Sequence, residues 1–431
     1  MFDLTGPIIK SRLEPDFYKF TMGQLIWRKY GDIDVTFSFK NRTPQARIGE
    51  VVDLGELREQ FDHARSLTIT NSELHYLRGT NEYQQRMFDE EYLAFHRRLR
   101  LPDYYLELKG GNLDVTFSGR WAEVTYWETI ALSIINETYY RTLLRTLSTF
   151  EREVIFAEGI RRLRDKIGVI RKRADISFSD FGTRRRFSRK WQHYVDETLM
   201  QELNRGSFEG QFLGTSNTYA AMTTGLVPMG TAAHELPMVI AGILDAGESD
   251  PQWLRRAQRQ VLDDWWEQYG WGLSIFLPDT FGTDLFFTVV TPEDLRRWKG
   301  FRWDSGDVLE FGERIMRAYE EIGVNPNDKM LVASDALDLP MILDVQRQLG
   351  PRIRVTYGWG TGLTNDLLDS VMVGNRWFGP MSLVVKPTRA NGRGLVKLSD
   401  NPAKAVGQAD DVARYKRAAG YGHRQASDLK Y

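Results

Sequence analysis

The apolar positions of the chain fall into two regimes. Between Pro15 and Gly31 they recur at helical spacing, which predicts a helix opened by Pro15 and Asp16 and closed by Gly31. Asp34 to Lys40, D-V-T-F-S-F-K, alternates polar and apolar as a half-buried strand does. Leu113–Gly119 and Ala122–Trp127 read as two further strands, and Glu128 to about Leu147 as one long helix. Residues 1–150 therefore predict a mixed α+β domain.

From about residue 174 one unit recurs: a short apolar run, a polar glycine-bearing turn, then a helical stretch. The turns are Ser177–Arg186, Phe212–Thr218, Met229–Glu235, Pro278–Asp284, Arg302–Asp307, Ala333–Asp338, Tyr357–Asp366 and Val384–Thr388. Strands alternating with helices imply right-handed crossovers and a parallel sheet. Eight such units predict an irregular (β/α)8 barrel-like domain over 151–388, in preference to a doubly wound open sheet. In such barrels the functional loops follow the carboxyl ends of the strands, where these polar turns lie. The basic, glycine-rich tail from 389 to 431 is expected to fold back on the N-terminal domain.

Composition narrows the function. Fifty-seven basic and 58 acidic side chains leave a formal net charge of -1, which speaks against a dedicated nucleic-acid or membrane-surface protein. There is no cysteine, so disulfides, thiolate nucleophiles and cysteine-bound zinc are excluded. The N-terminus lacks a signal-peptide pattern and no apolar run approaches a membrane span, so a cytoplasmic protein is expected.

Four turns carry candidate chemistry. In G-W-G-T-G-L-T, Gly358 to Thr364, glycines let backbone amides approach a ligand, as a phosphate cradle requires, although the spacing is not that of a Walker loop and a tight turn would read the same. In D-S-G-D the carboxylates of Asp304 and Asp307 suit Mg²⁺ through waters, or ribose hydroxyls, with Arg302 on the same side; the alternative is that Asp304 caps the next helix. Three arginines, Arg184 to Arg186, crowd an expected helix start, a costly arrangement unless an anion is bound there. The basic run Arg161–Arg173 reads as a surface helix. Of six histidines, His63, His75, His96, His193 and His423 lie in polar helical or tail sequence without metal-ligand spacing. His234 differs: it follows Gly230 and Thr231 in a small-residue turn and adjoins Glu235. A carboxylate orienting one ring nitrogen would make the other a nucleophile or base.

Taken in order, D-F-Y-K-F-T-M, F-S-D-F-G-T-R-R-R, G-T-S-N, G-T-A-A-H-E, D-T-F-G-T-D, R-W-D-S-G-D, A-S-D and G-W-G-T-G-L-T-N-D resemble nicotinate phosphoribosyltransferases of the bacterial type, over most of the chain. The resemblance implies that nicotinate and phosphoribosyl pyrophosphate give nicotinate mononucleotide and pyrophosphate, the first step of NAD salvage from nicotinate. It also implies that ATP is hydrolysed through a phosphohistidine at His234, with Mg²⁺ required. It assigns ring stacking to Tyr18, supplied by the neighbouring subunit of a homodimer, and nicotinate contacts to Arg302 and Thr231. Arg184 or Arg186 would reach the ring or phosphates. Gly360, Thr361 and Gly362 would hold the 5′-phosphate, and Asp304 and Asp335 ribose or Mg²⁺. Ser216 stands where nicotinamide-using relatives carry an aspartate, which favours the acid as substrate. Three rivals stay open: a nicotinamide phosphoribosyltransferase, a barrel lyase using Lys386 in V-V-K-P-T, and a non-catalytic pyridine-nucleotide sensor.

Overall fold

Gly110 and Gly111, with φ of 56° and 79°, turn the strand Tyr104–Lys109 back onto Asn112–Arg120. Two consecutive positive φ values match the right-handed strand twist, and glycine reaches them without steric cost. This hairpin joins Asp34–Asn41, where Val35 and Phe37 point inward, and then Leu383–Ala390 and Arg393–Gly394 from the far end of the chain. All partners in this five-stranded sheet are antiparallel. The computed structural model describes residues 3–82, 84–204, 211–245, 250, 252–369, 371–373 and 376–421; His423 and the last part of the tail lie outside the described residues.

One local expectation needs correction. Ala122–Trp127 is not a strand: Trp121–Val124 forms a helical turn and Trp127–Arg145 a helix. Trp121, Tyr126 and Trp127 are buried, so their aromatic character records packing rather than sheet. The first helix runs Tyr18–Tyr30 and is buried from Tyr18 through Ile26, without an amphipathic face in its first half. It is wedged between the two regions. Phe17 donates its amide to the Ser216 carbonyl at 2.7 Å, and Thr21 its hydroxyl to the Thr231 carbonyl at 2.7 Å. A Cβ at Gly230 would come within 2.7 Å of the Tyr18 amide, so glycine is needed where these elements cross.

The second region holds six parallel strands in the spatial order Phe212–Thr215, Phe178–Asp180, Arg354–Trp359, Met330–Ala333, Gly300–Trp303, Ile275–Phe276. The last of these in the chain, Arg354–Trp359, pairs back with the first, Phe178–Asp180, as a barrel requires. A seventh element is reduced to one parallel bridge, Thr215 to Pro228. Between Pro228 and Ile275–Phe276 the described residues show no pairing, and His234 opens the helix Glu235–Leu244 beside this seam. The six parallel strands thus form an incomplete, barrel-like sheet, with one side unpaired among the described residues. The eighth predicted unit belongs elsewhere: Val384–Thr388 lies in the antiparallel sheet, so the chain rejoins the N-terminal region from Leu383, earlier than the expected 389. No helix among the described residues is long and apolar enough to cross a membrane.

Candidate active site

Five barrel turns, the N-terminal region and the tail enclose a cavity of about 750 Å³. Seven cationic side chains line it, Arg42, Arg184, Arg185, Arg302, Lys386, Lys397 and Lys404, against the carboxylates of Glu128, Asp304, Asp335 and Asp338. The excess of positive charge selects an anionic ligand. Tyr18 and Phe181 add two aromatic side chains, with Arg184 5.6 Å from the Tyr18 ring and Arg302 5.9 Å from the Phe181 ring.

His234 lies at the wall of this cavity, 5% exposed. Nδ1 is 3.0 Å from the Thr280 hydroxyl. Nε2 is 2.8 Å from Asp304 Oδ2 and 3.0 Å from the Lys397 ammonium, with Asp279 at 3.7 Å. Asp304 accepts further hydrogen bonds at Oδ1 from Arg302 and Ser334, each at 2.9 Å. Burial, then Lys397, pushes the imidazole below its ordinary pKa, so the ring is neutral near pH 7. Against the cost of burial, Arg302, His234 and Lys397 hold Asp304 well below the usual carboxylate range. His234, Asp279 and Asp304 offer ligand atoms within 4.8 Å of one another. The Lys397 ammonium, 3.3 Å from Asp279, sits among them and competes with any cation for the same oxygens.

The arginine turn is a 3-10 turn, Thr183–Arg185, followed by the helix Arg189–Leu199 with Ser188 as its cap. The arginines therefore precede the helix rather than occupy its first turn. Burial, with neighbouring Arg184 and Arg42, lowers Arg185 to about 10. The turn rests on Thr364: a Cβ at Gly182 would lie 1.9 Å from the Thr364 hydroxyl. Across the cavity, Gly360, Thr361 and Gly362 open the short helix Thr361–Thr364, whose first amides have no acceptor within the helix. Lys166 fixes this loop from behind, donating to the Gly362 carbonyl and to Asp366, each at 2.6 Å. Its helix was expected to be surface only. Ala336, between Asp335 and Leu337 in the cavity wall, has φ 47°, a left-handed value that costs a non-glycine residue about 1 kcal/mol or more and is characteristic of functional sites.

The family model described as the nicotinate phosphoribosyltransferase (NAPRTase) family matches residues 176–423, and the model of its N-terminal domain matches residues 13–136. The chain belongs to the nicotinate phosphoribosyltransferase family. The whole fold agrees. The crystal structure of nicotinate phosphoribosyltransferase from Vibrio cholerae aligns with a TM-score of 0.83 at 26% identity, over 98% of this chain and 96% of that one. That from Porphyromonas gingivalis aligns with a TM-score of 0.80 at 28% identity, over 96% of this chain and all of the other.

Within this nicotinate phosphoribosyltransferase fold, Tyr18, Arg184, His234, Arg302, Asp304, Asp335, Gly360, Thr361 and Gly362 meet at one cavity. Other candidates do not. Glu235 turns away from the imidazole and is spent on Lys19, Trp121 and Thr125. Asp304 and Asp279 approach Nε2 instead, and the far nitrogen, Nδ1, is held by the Thr280 hydroxyl rather than by a carboxylate. Arg186 is fully buried against Glu14 and Glu137, and Arg185 lines the cavity instead. Asp307 caps the helix Val308–Glu320 through the Leu309 and Glu310 amides, a role expected of Asp304 in the alternative reading. Thr231 and Ser216 do not line the cavity; Ser216 donates to Asp16 at 2.5 Å, so a carboxyl group stands next to this position after all. Tyr18 reaches the cavity from within the same chain. His96, in helical sequence without a ligand partner, is buried against Tyr126. The sequence reading missed Arg42, Glu128, Phe181, Asp279, Lys397 and Lys404. Phe181 and Asp279 lie inside the polar turns Ser177–Arg186 and Pro278–Asp284. Lys397 and Lys404 carried no signal, because their tail was expected to cover the N-terminal domain only.

Proposed function

We propose that the chain transfers the phosphoribosyl group of phosphoribosyl pyrophosphate to nicotinate, releasing nicotinate mononucleotide and pyrophosphate, with ATP hydrolysis coupled through a phosphoryl group on His234. The observation that carries this reading is the placement of His234 Nε2, neutral and flanked by Asp304 and Lys397, in the same cationic cavity as the Gly360–Gly362 loop. Tyr18 and Phe181 suit a pyridine ring. Arg302 is committed to Asp304, Ser334 and the Ala232 carbonyl, whereas the contacts of Arg184 to Asp16 and to Tyr18 are loose, at 3.4 and 3.5 Å. Arg184 is therefore the better guanidinium for the nicotinate carboxylate, and its charge offsets Asp16. Arg42, Arg185 and Lys404 suit the pyrophosphate end.

Displacement at ribose C1 needs no strong general base, because the pyridine nitrogen carries no proton. The chain's contribution is to orient the ring, surround the leaving charge with cations and exclude water. Mg²⁺ is expected to arrive on the substrate phosphates, keeping its waters. Cytoplasmic location, assembly as a homodimer and a place at the entry of nicotinate into NAD synthesis belong to the same proposal.

The test is a side-by-side assay of nicotinate and nicotinamide with phosphoribosyl pyrophosphate, with and without ATP. Nicotinate turnover stimulated by ATP is expected, with an acid-labile phosphoenzyme that His234→Ala abolishes. Preference for nicotinamide would reverse the substrate assignment, and equal labelling of wild type and variant would reject the phosphohistidine.

A further inference from the structure

His234 Nε2 faces two neighbours with opposite demands. An ammonium only donates, so Lys397 at 3.0 Å requires a lone pair on Nε2. A carboxylate only accepts, so Asp304 at 2.8 Å requires a hydrogen there. One nitrogen cannot satisfy both, and such a conflict is expected where bonding changes during reaction. Lys397 is held there by design of the chain. Its amide and carbonyl pair with Val406 at 3.0 and 2.9 Å. The next residue, Leu398, donates to the Thr280 carbonyl at 2.8 Å, and Asp400 receives Thr283 and donates its amide to Ser305. Ser399 between them has φ 67°. Thr280 is the partner of His234 Nδ1, and Ser305 donates to Asp279 at 2.6 Å. The tail is thus fastened to the residues that hold the imidazole and Asp279. The second oxygen of Asp279, Oδ1, is buried without a hydrogen-bond partner.

Resting on the phosphohistidine reading above, we propose that Lys397 is a catalytic residue of phosphoryl transfer to His234, guarding the Nε2 lone pair in the resting enzyme and then serving as counter-ion to the phosphoryl group. In the step itself the Nε2 lone pair attacks the γ-phosphorus of ATP. The Nε2–P bond forms as the bond from phosphorus to the bridging β-oxygen breaks, and ADP leaves with that electron pair. Nδ1 keeps its hydrogen, directed at Thr280, so no external base is needed. To clear the line of attack the ammonium moves toward Asp279, already 3.3 Å away and with an acceptor to spare. Asp304 keeps Arg302 and Ser334 and balances the positive charge on the ring. The phosphoryl oxygens then lie beside a desolvated ammonium, where a charge-assisted hydrogen bond is at its strongest.

The experiment is rapid-quench labelling with γ-³²P-ATP, followed by the decay of the phosphoenzyme after ATP is removed. Lys397→Met should slow labelling about 10²-fold, the usual cost of one preorganised donor to a developing anion, and shorten the lifetime of the phosphohistidine. Lys397→Arg should retain most of the rate, and ethylammonium should rescue Lys397→Ala saturably. Thermal unfolding reports whether the Met variant is folded; if it is not, the rescue of Lys397→Ala decides. Labelling and lifetime at wild-type values in the Met variant would overturn the proposal. So would equal losses in Met and Arg variants with no rescue, which would mark Lys397 as structural. Absence of label in the wild type would instead bring down the phosphohistidine reading itself.

Discussion

Arg186 gives the sharpest test of how the arginine turn divides its labour. The side chain is fully buried, 2.8 Å from Glu14, 3.6 Å from Glu137 and 3.3 Å from Gln192. Glu137 has a second cation, Arg141 at 3.2 Å, but among the described residues Glu14 has Arg186 alone. Arg186→Met would fill much of the same volume and leave the Glu14 carboxylate buried without its counter-charge. Removing one partner of a buried pair costs about 3–5 kcal/mol, because the remaining charge keeps its desolvation penalty. At roughly 2 °C per kcal/mol for a large domain, the melting temperature should fall by about 6–10 °C. The assay is thermal and urea unfolding beside nicotinate kinetics, with Glu14→Gln combined as a cycle. The double variant should recover at least half of the loss, since a neutral amide and a thioether replace the ion pair. Nicotinate KM in the folded fraction should stay near the wild-type value, whereas Arg184→Met should raise it. An Arg186→Met protein that melts like the wild type while its KM rises tenfold would refute the reasoning and return Arg186 to the ligand.

Gly182→Ala should cut turnover at least tenfold by pushing the Phe181–Arg185 turn off Thr364, and adding Thr364→Gly should restore part of it; wild-type kinetics in the single variant would contradict the 1.9 Å approach. Asp307→Ala should cost about 1 kcal/mol as a lost helix cap and leave the Mg²⁺ requirement unaltered, unlike Asp304→Asn; a raised Mg²⁺ requirement in Asp307→Ala would assign it to the metal. Burial, with Arg12 adding to it, lowers His96 to about 3. An unfolded histidine takes its proton near 6.5 and this one only near 3, so the unfolded state binds more protons between those values and stability falls as pH drops through that window, by roughly 5 kcal/mol at its lower end. His96→Gln should flatten that part of the stability–pH curve, and an unchanged slope would show that other groups drive acid unfolding.

Local pattern carried much of the fold. Asp34–Asn41 alternates because one face of its sheet is buried, and the helix after Glu128 was legible from its length and spacing. The turns after parallel strands were legible because small and polar residues are required there whatever the partner. Where reading failed, a long-range contact had overridden the local signal. Ala122 to Trp127 looks like strand because large aromatics favour sheets, yet these pack around a helical turn. Val384–Thr388 reads as a barrel strand, because an apolar run carries no record of whether its neighbour is parallel or antiparallel.

The candidate site divides in the same way. The order of residues alone determined the family motifs, the barrel-like alternation and the singular position of His234, since each depends on neighbours within about ten positions. Which carboxylate serves the imidazole, which arginine faces the ligand and which lysine closes the cavity were decided by the tertiary structure. Glu235 adjoins His234 in the chain, but at a helix start successive side chains diverge, so Glu235 joins the buried Lys19 and Asp304, 70 residues on, reaches the ring. Charge and distance in space, not spacing along the chain, select the partners of a buried group.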